Sequence, residues 1–104
     1  MNNLIQEVLG EEYVMLSSVS LQATHLVVFA HAPIVPLITE VKTDDIPTGF
    51  NKMVGNKGAV MIKMKLAETS IIFINCHLHS GQDNVETRNT DVQNILAKFI
   101  GQET

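Results

Sequence analysis

The chain has 104 residues, with one cysteine, no tryptophan and no long uninterrupted apolar run. A single cysteine, Cys76, rules out an internal disulfide and agrees with a reducing compartment. The longest apolar stretch, LVVFAHAPIVPLI, is broken by His31, Pro33 and Pro36 and falls short of the roughly 18 to 20 residues that a membrane span needs. The N-terminal stretch MNNLIQEVLGEE has no basic residue ahead of its apolar positions, so it does not read as a signal peptide, and a cytosolic chain is expected. Positive charge is scarce too. The formal net charge is −4, which argues against a nucleic-acid partner, since phosphate contacts along a polyanion demand a basic surface.

What is present fits one globular domain. Apolar residues make up 45% of the chain and charged residues 17%, a balance that excludes intrinsic disorder. The charge is unevenly placed. Residues 42 to 65 hold five lysines (Lys42, Lys52, Lys57, Lys63, Lys65) against Asp44 and Asp45, a local excess of +3 that leaves −7 elsewhere. Such an excess suits a small anion better than a long polyanion. The competing reading is a lysine-rich solvated strand face.

Periodicity gives an α/β (α+β) order: helix, strands, helix. Leu4, Ile5, Val8 and Leu9 recur at helical spacing before Gly10. YVMLSSVSL and THLVVFAHA are β-rich runs separated by Gln22 and Ala23, and the second ends ahead of Pro33. PLITEVK reads as another strand. TDDIPTGF collects Asp, Pro, Thr and Gly and is expected to be a loop. GAVMIKMKL alternates Val60, Ile62 and Met64 against Met61, Lys63 and Lys65, and with SIIFINCHL it forms a hairpin around AET. After HSGQD the period lengthens. Val85, Val92, Ile95, Leu96, Phe99 and Ile100 share a helical face, with Asp83 or Asn84 as cap, Gly101 as stop, and core packing as the expected role of the stripe.

Two short stretches carry candidate chemistry. In VGNKGAV, Gly55 and Gly58 free the backbone on either side of Asn56 and Lys57, so that N–H groups and an ammonium can surround an anion. It is not a Walker A loop, because Lys57 is followed by Gly58 and not by Ser or Thr, and glycine turns before strands are common. In NCHLHSG, Asn75 and His77 share a strand face and His77 stands at the strand's C-terminal end. An imidazole there can orient or protonate a phosphate oxygen. It can equally cap loop backbone or pair with His79 on a metal, although no further ligand has convincing zinc spacing.

The order of these motifs is informative. TGF, then VGNKGAVMIKMKLAETSIIFINCHLHSGQDNVETRNTDVQNIL, closely resembles the inositol polyphosphate 5-phosphatases over Thr48 to Leu96, and the preceding strands resemble them more loosely. The resemblance implies an endonuclease/exonuclease/phosphatase fold, two packed sheets flanked by helices. It implies Mg²⁺-assisted attack of water on the 5-phosphate of a phosphoinositide or soluble inositol polyphosphate, at a peripheral membrane surface where the substrate is a lipid. By position, His77 matches the active-site histidine and Lys57 a lysine that contacts a ring phosphate. Lys63 falls where the family often places a basic residue for the 4-phosphate. Asn56 and Arg88 match motif positions of mainly structural role.

Two departures follow. Where the family reads His-Leu-Ala-Ala-Gly, this chain has His79 and Ser80, which polarise the wall beside His77. The family's metal-binding Asn and Glu, its Gly-Asp-x-Asn-Tyr-Arg, Pro-Ala-Trp-Cys-Asp-Arg and Ser-Asp-His segments are not found here. Residues 1–104 are therefore expected to match a central part of the catalytic domain, without Mg²⁺ ligands and inactive alone. The rival expectations are a non-catalytic head-group-binding module and a nuclease of the same superfold.

Overall fold

The structure, a computed structural model, describes residues 7–22, 24–48, 57–78 and 81–101. The β-rich run after Gly10 folds back on itself as expected. Strand β1 (Tyr13–Leu21) pairs antiparallel with β2 (Thr24–His31), with Leu21 opposite Thr24 at the turn and Tyr13 opposite His31 at the far end. Gln22 takes a left-handed φ of 46° to close this hairpin. The proposed N-terminal helix is described only from residue 7, where residues 7–9 are helical and Gly10 stops them with φ 87°. Ala32–Leu37, which holds Pro33 and Pro36, cannot supply a full set of ladder donors and winds instead into a short 3₁₀ helix.

From there the chain enters a second sheet, β3 (Ile38–Pro47), β4 (Gly58–Leu66) and β5 (Thr69–His77), antiparallel in the order β3-β4-β5. The β4–β5 hairpin turns at Ala67, φ 54°, in the expected place. One expectation fails. TDDIP is not loop but the second half of β3, paired from Thr43 with Ile62 to Pro47 with Gly58. The turn-forming residues are tolerated because β3 is an edge strand: the Asp45 N–H donates to the Asp44 carboxylate at 2.8 Å, and Pro47, which has no N–H to offer, comes last.

Strand β4 is central and covered on both sides. Val60, Ile62 and Met64 are buried on the face toward the β1–β2 hairpin, so the two sheets form the expected sandwich. On the other face Ala59 and Met61 cluster with Ile95 and Phe99 of helix α1 (Val85–Phe99). Lys98 locks that helix down. Its Nζ donates to the Asp45 carbonyl at 2.6 Å and lies 3.6 Å from the Asp44 carboxylate. The helical stripe is only half used, however. Ile95 and Phe99 are buried, whereas Val85, Val92, Leu96 and Ile100 are between 37% and 50% exposed, because a three-stranded sheet is narrower than the stripe. The helix opens at Asn84, whose side chain makes no capping bond.

Candidate phosphate-binding corner

Three strand ends meet at one corner of the larger sheet. Pro47 at the end of β3 pairs with Gly58 at the start of β4, which pairs with His77 at the end of β5. The ladder runs one residue further, where the Thr48 N–H donates to the Lys57 carbonyl at 2.9 Å. Lys57 and His77 are thus near neighbours, one residue off an antiparallel pair whose Cα atoms lie roughly 4.5 to 5.5 Å apart. Asn56 and Gly55 lie outside the described residues, as do His79 and Ser80.

The glycine in this corner has a steric cause. Gly58 has φ 151°, and a Cβ on it would stand 2.8 Å from Leu21 Cδ2 and 2.9 Å from Pro47 Cα, and against the Ile46 carbonyl oxygen. Only a residue without a side chain lets β4 start so close to both β3 and the β1–β2 turn. Gly58 is therefore required by packing, whatever the corner binds.

Strand alternation puts Asn75 and His77 on the face toward the β1–β2 hairpin, and Cys76, opposite Ala59, on the other. Asn75 Nδ2 donates to the His25 carbonyl at 2.6 Å and ties the two sheets together beside His77. Among the described residues, the buried hydroxyls of Thr24 and Thr48 have no hydrogen-bond partner. Thr48 follows directly on the Pro47–Gly58 pair, and Thr24 opposes Leu21, the residue that caps Gly58. Burying a hydroxyl without a partner is costly, and each can donate to an anionic oxygen. The corner thus offers an ammonium, an imidazole and a hydroxyl from three adjacent strand ends, a donor set suited to a phosphate group. The sequence showed that Asn75 shares a face with His77. It could not show the link to His25, which lies fifty residues away, nor the two hydroxyls.

Lys63 is not brought to this corner. It lies five residues along β4 from Gly58, roughly 17 Å away at strand rise, and on the helix-facing side, where it lines a cleft with Phe99 and Ile100. Arg88 reaches from α1 to donate to the Gly81 carbonyl at 2.7 Å and so holds the β5–α1 connection.

A divalent cation does not fit the corner as described. Hard cations take several oxygen ligands with carboxylates among them, and the corner brings together hydroxyls, an amide, an imidazole and a lysine. Among the described residues no three His, Cys, Asp or Glu side chains are grouped to hold a metal. Among them, too, no helix is long and apolar enough to cross a membrane.

Known proteins resemble this chain in sequence and fold. A family model described as Endonuclease/Exonuclease/phosphatase family 2 matches residues 1–103. Synaptojanin-2 of Homo sapiens is 40% identical over 90 residues, which cover 86% of this chain and 6% of that protein. Phosphatidylinositol 4,5-bisphosphate 5-phosphatase A of Homo sapiens is 34% identical over 97 residues, 92% of this chain and 10% of that one. Among solved structures, the inositol polyphosphate 5-phosphatase domain of SPsynaptojanin, in complex with inositol (1,4)-bisphosphate and calcium ion, superposes with a TM-score of 0.76 at 32% identity. That match covers 91% of this chain and 28% of the other. The chain therefore spans a small part of each relative's length.

Proposed function

Since the chain belongs to the endonuclease/exonuclease/phosphatase family, among its inositol polyphosphate 5-phosphatases, we propose that the Lys57–His77 corner grips the phosphates of an inositol phosphate or phosphoinositide. The observation that carries the reading is the Pro47–Gly58–His77 register, which brings the strand ends that bear Lys57, His77 and the unpartnered Thr48 hydroxyl together at one corner. His77 takes the phosphate to be cleaved, donating from a ring nitrogen to a non-bridging oxygen. Lys57, a point charge on a long arm, takes a ring phosphate, and Asn56 supports it from the adjoining position. The bound inositol (1,4)-bisphosphate of the solved relative supports the substrate class.

Residues 1–104 act, in this reading, as the central portion of a 5-phosphatase domain that works in the cytosol and meets lipid substrates at the membrane surface. Hydrolysis breaks the P–O bond to the ring, with water supplying one proton to the leaving alkoxide and the new oxygen to phosphate. That step needs a base for the water, and the family's Mg²⁺ needs carboxylate ligands. The described corner brings together neither. The chain alone therefore binds the anion and does not turn it over.

Calorimetry of the 104-residue chain with inositol (1,4)-bisphosphate tests the reading. Lys57→Ala should weaken binding by about 1.5 to 3 kcal/mol, the scale of a hydrogen bond to a charged group. Equal affinity in wild type and variant would return Lys57 to a solvated strand end. Mg²⁺-dependent phosphate release by the chain alone would overturn the claim that it binds without turnover.

A further inference from the structure

His77 stands at the end of a strand with little to hold it sideways. Its partner across the β4–β5 ladder is Gly58, which has no side chain, so the cross-strand contact that ordinarily restrains a residue on a sheet face is missing. Among the described residues no further strand pairs with the outer side of β5. Restraint on this face has to come from the other sheet, whose β2 is packed near β5.

Asn75 supplies it. Two residues before His77 and on the same face, it donates from Nδ2 to the His25 carbonyl at 2.6 Å, across fifty residues of chain. A carbonyl can only accept, so the amide nitrogen and not the amide oxygen must face the hairpin, which fixes the orientation of the side chain. His25 follows Thr24 at the β1–β2 turn, and the same turn presses on the corner through Leu21, whose Cδ2 would stand 2.8 Å from a Cβ on Gly58. The turn is thus the wall beside His77, and Asn75 holds it against β5. This bond is exposed. A neutral hydrogen bond in contact with water adds little to stability, so the fold alone does not account for it.

We propose that Asn75 is a positioning residue for His77: by holding the β1–β2 turn against the end of β5, it confines the imidazole to the orientation in which a ring nitrogen donates to the phosphate. This role rests on the reading of the corner as a phosphate site, and Asn75 itself touches no phosphate in it. Without the bond the imidazole has more orientations to give up when the anion arrives, and affinity falls.

Calorimetry of the full chain with inositol (1,4)-bisphosphate compares wild type, Asn75→Ala, His77→Ala and the double variant. Asn75→Ala is expected to weaken binding about five- to tenfold while His77 is present, the scale of one side chain left to be ordered on binding. Once His77→Ala has been made, the same substitution should change affinity by less than about twofold, because there is no imidazole left to position. Asn75→Gln keeps the amide, has room for its extra methylene in an exposed setting, and should bind closer to wild type than Asn75→Ala does. The urea midpoint of Asn75→Ala should stay close to that of wild type. Equal losses with and without His77, no loss at all, no recovery with Asn75→Gln, or a collapsed urea midpoint would overturn the proposal. A wild-type chain that does not bind, or a His77→Ala variant that binds as well as wild type, would instead overturn the reading of the corner, so the two failures are told apart.

Discussion

Replacing Gly58 by alanine separates packing from ligand binding in the Gly-Asn-Lys-Gly stretch. The added methyl group meets the Ile46 carbonyl oxygen, Pro47 Cα at 2.9 Å and Leu21 Cδ2 at 2.8 Å. Leucine can rotate away, but two of the three obstacles are backbone of the paired strand and cannot move without breaking the Pro47–Gly58 register. Overpacking of this kind costs about 1 to 3 kcal/mol, and holding a non-glycine residue at φ 151° adds about 1 to 3 kcal/mol. A loss of about 2 to 6 kcal/mol is a large share of the roughly 5 to 15 kcal/mol that holds a typical domain together. Gly81→Ala is the matched control: Gly81 also has positive φ, 99°, but the nearest atom to its Cβ would be Asn84 Nδ2 at 3.6 Å, so only the conformational cost remains. Urea denaturation of the three proteins, compared at equal slope, gives the difference that crowding alone makes. If Gly58→Ala is no more destabilised than Gly81→Ala, the steric account of this glycine is wrong, and its presence must be explained by anion binding alone.

Lys98→Met keeps the stem but removes the charge that joins α1 to β3, and should cost about 1 to 2 kcal/mol in thermal unfolding. The loss should shrink only slightly in high salt, since the 2.6 Å bond to a carbonyl is screened less than the partly exposed pair with Asp44; complete loss of the effect in salt would show that the ion pair dominates. The purified chain is also expected to self-associate, because Val85, Val92, Leu96 and Ile100 leave an apolar stripe open on α1 and the outer edges of β3 and β5 are unpaired among the described residues. Sedimentation that reports a monomer at all concentrations, with a cooperative melt, would refute this.

Where local chemistry and tertiary setting agreed, the sequence was legible. YVMLSSVSL coincides with β1 residue for residue, and the β4–β5 hairpin follows the alternation of GAVMIKMKL. It was misleading at TDDIP, because the propensity of Asp and Pro for loops is a statement about average settings, and an edge strand clamped by Lys98 is not average. The helix was legible in its period but not in its burial, since an apolar stripe does not state how wide a surface it will meet. For the site, the juxtaposition of Lys57 and His77 needed only the hairpin register, which sequence pattern supplied. The separation of Lys63 from the corner follows from that same register, because the five residues of strand between Gly58 and Lys63 are a fixed length.

The placement of charge shows how an acidic chain can offer an anion a positive surface. Lys42, Lys57, Lys63 and Lys65 belong to β3, β4 or the residue just before it, while Glu7, Glu11, Glu12, Glu68, Asp83 and Glu86 lie in the helical turns, loops and helix start around them. Strands are the stiffest places to fix a charge, because each side chain's origin is held by ladder bonds on a central strand, and β4 is bonded on both flanks. Glu40, Asp44 and Asp45 are the acidic residues on the same strands: Glu40 lies 3.8 Å from Lys65, and Asp44 is matched by Lys98, so Asp44 subtracts little from the field of the other lysines. What remains is lysine concentrated along one strand pair, with the His77 corner at one end. Screening over roughly 8 to 10 Å in ordinary salt confines each charge to its own end of the strand, so an anion at the His77 corner should feel Lys57 far more than Lys63, which lies five residues beyond Gly58 at roughly 17 Å.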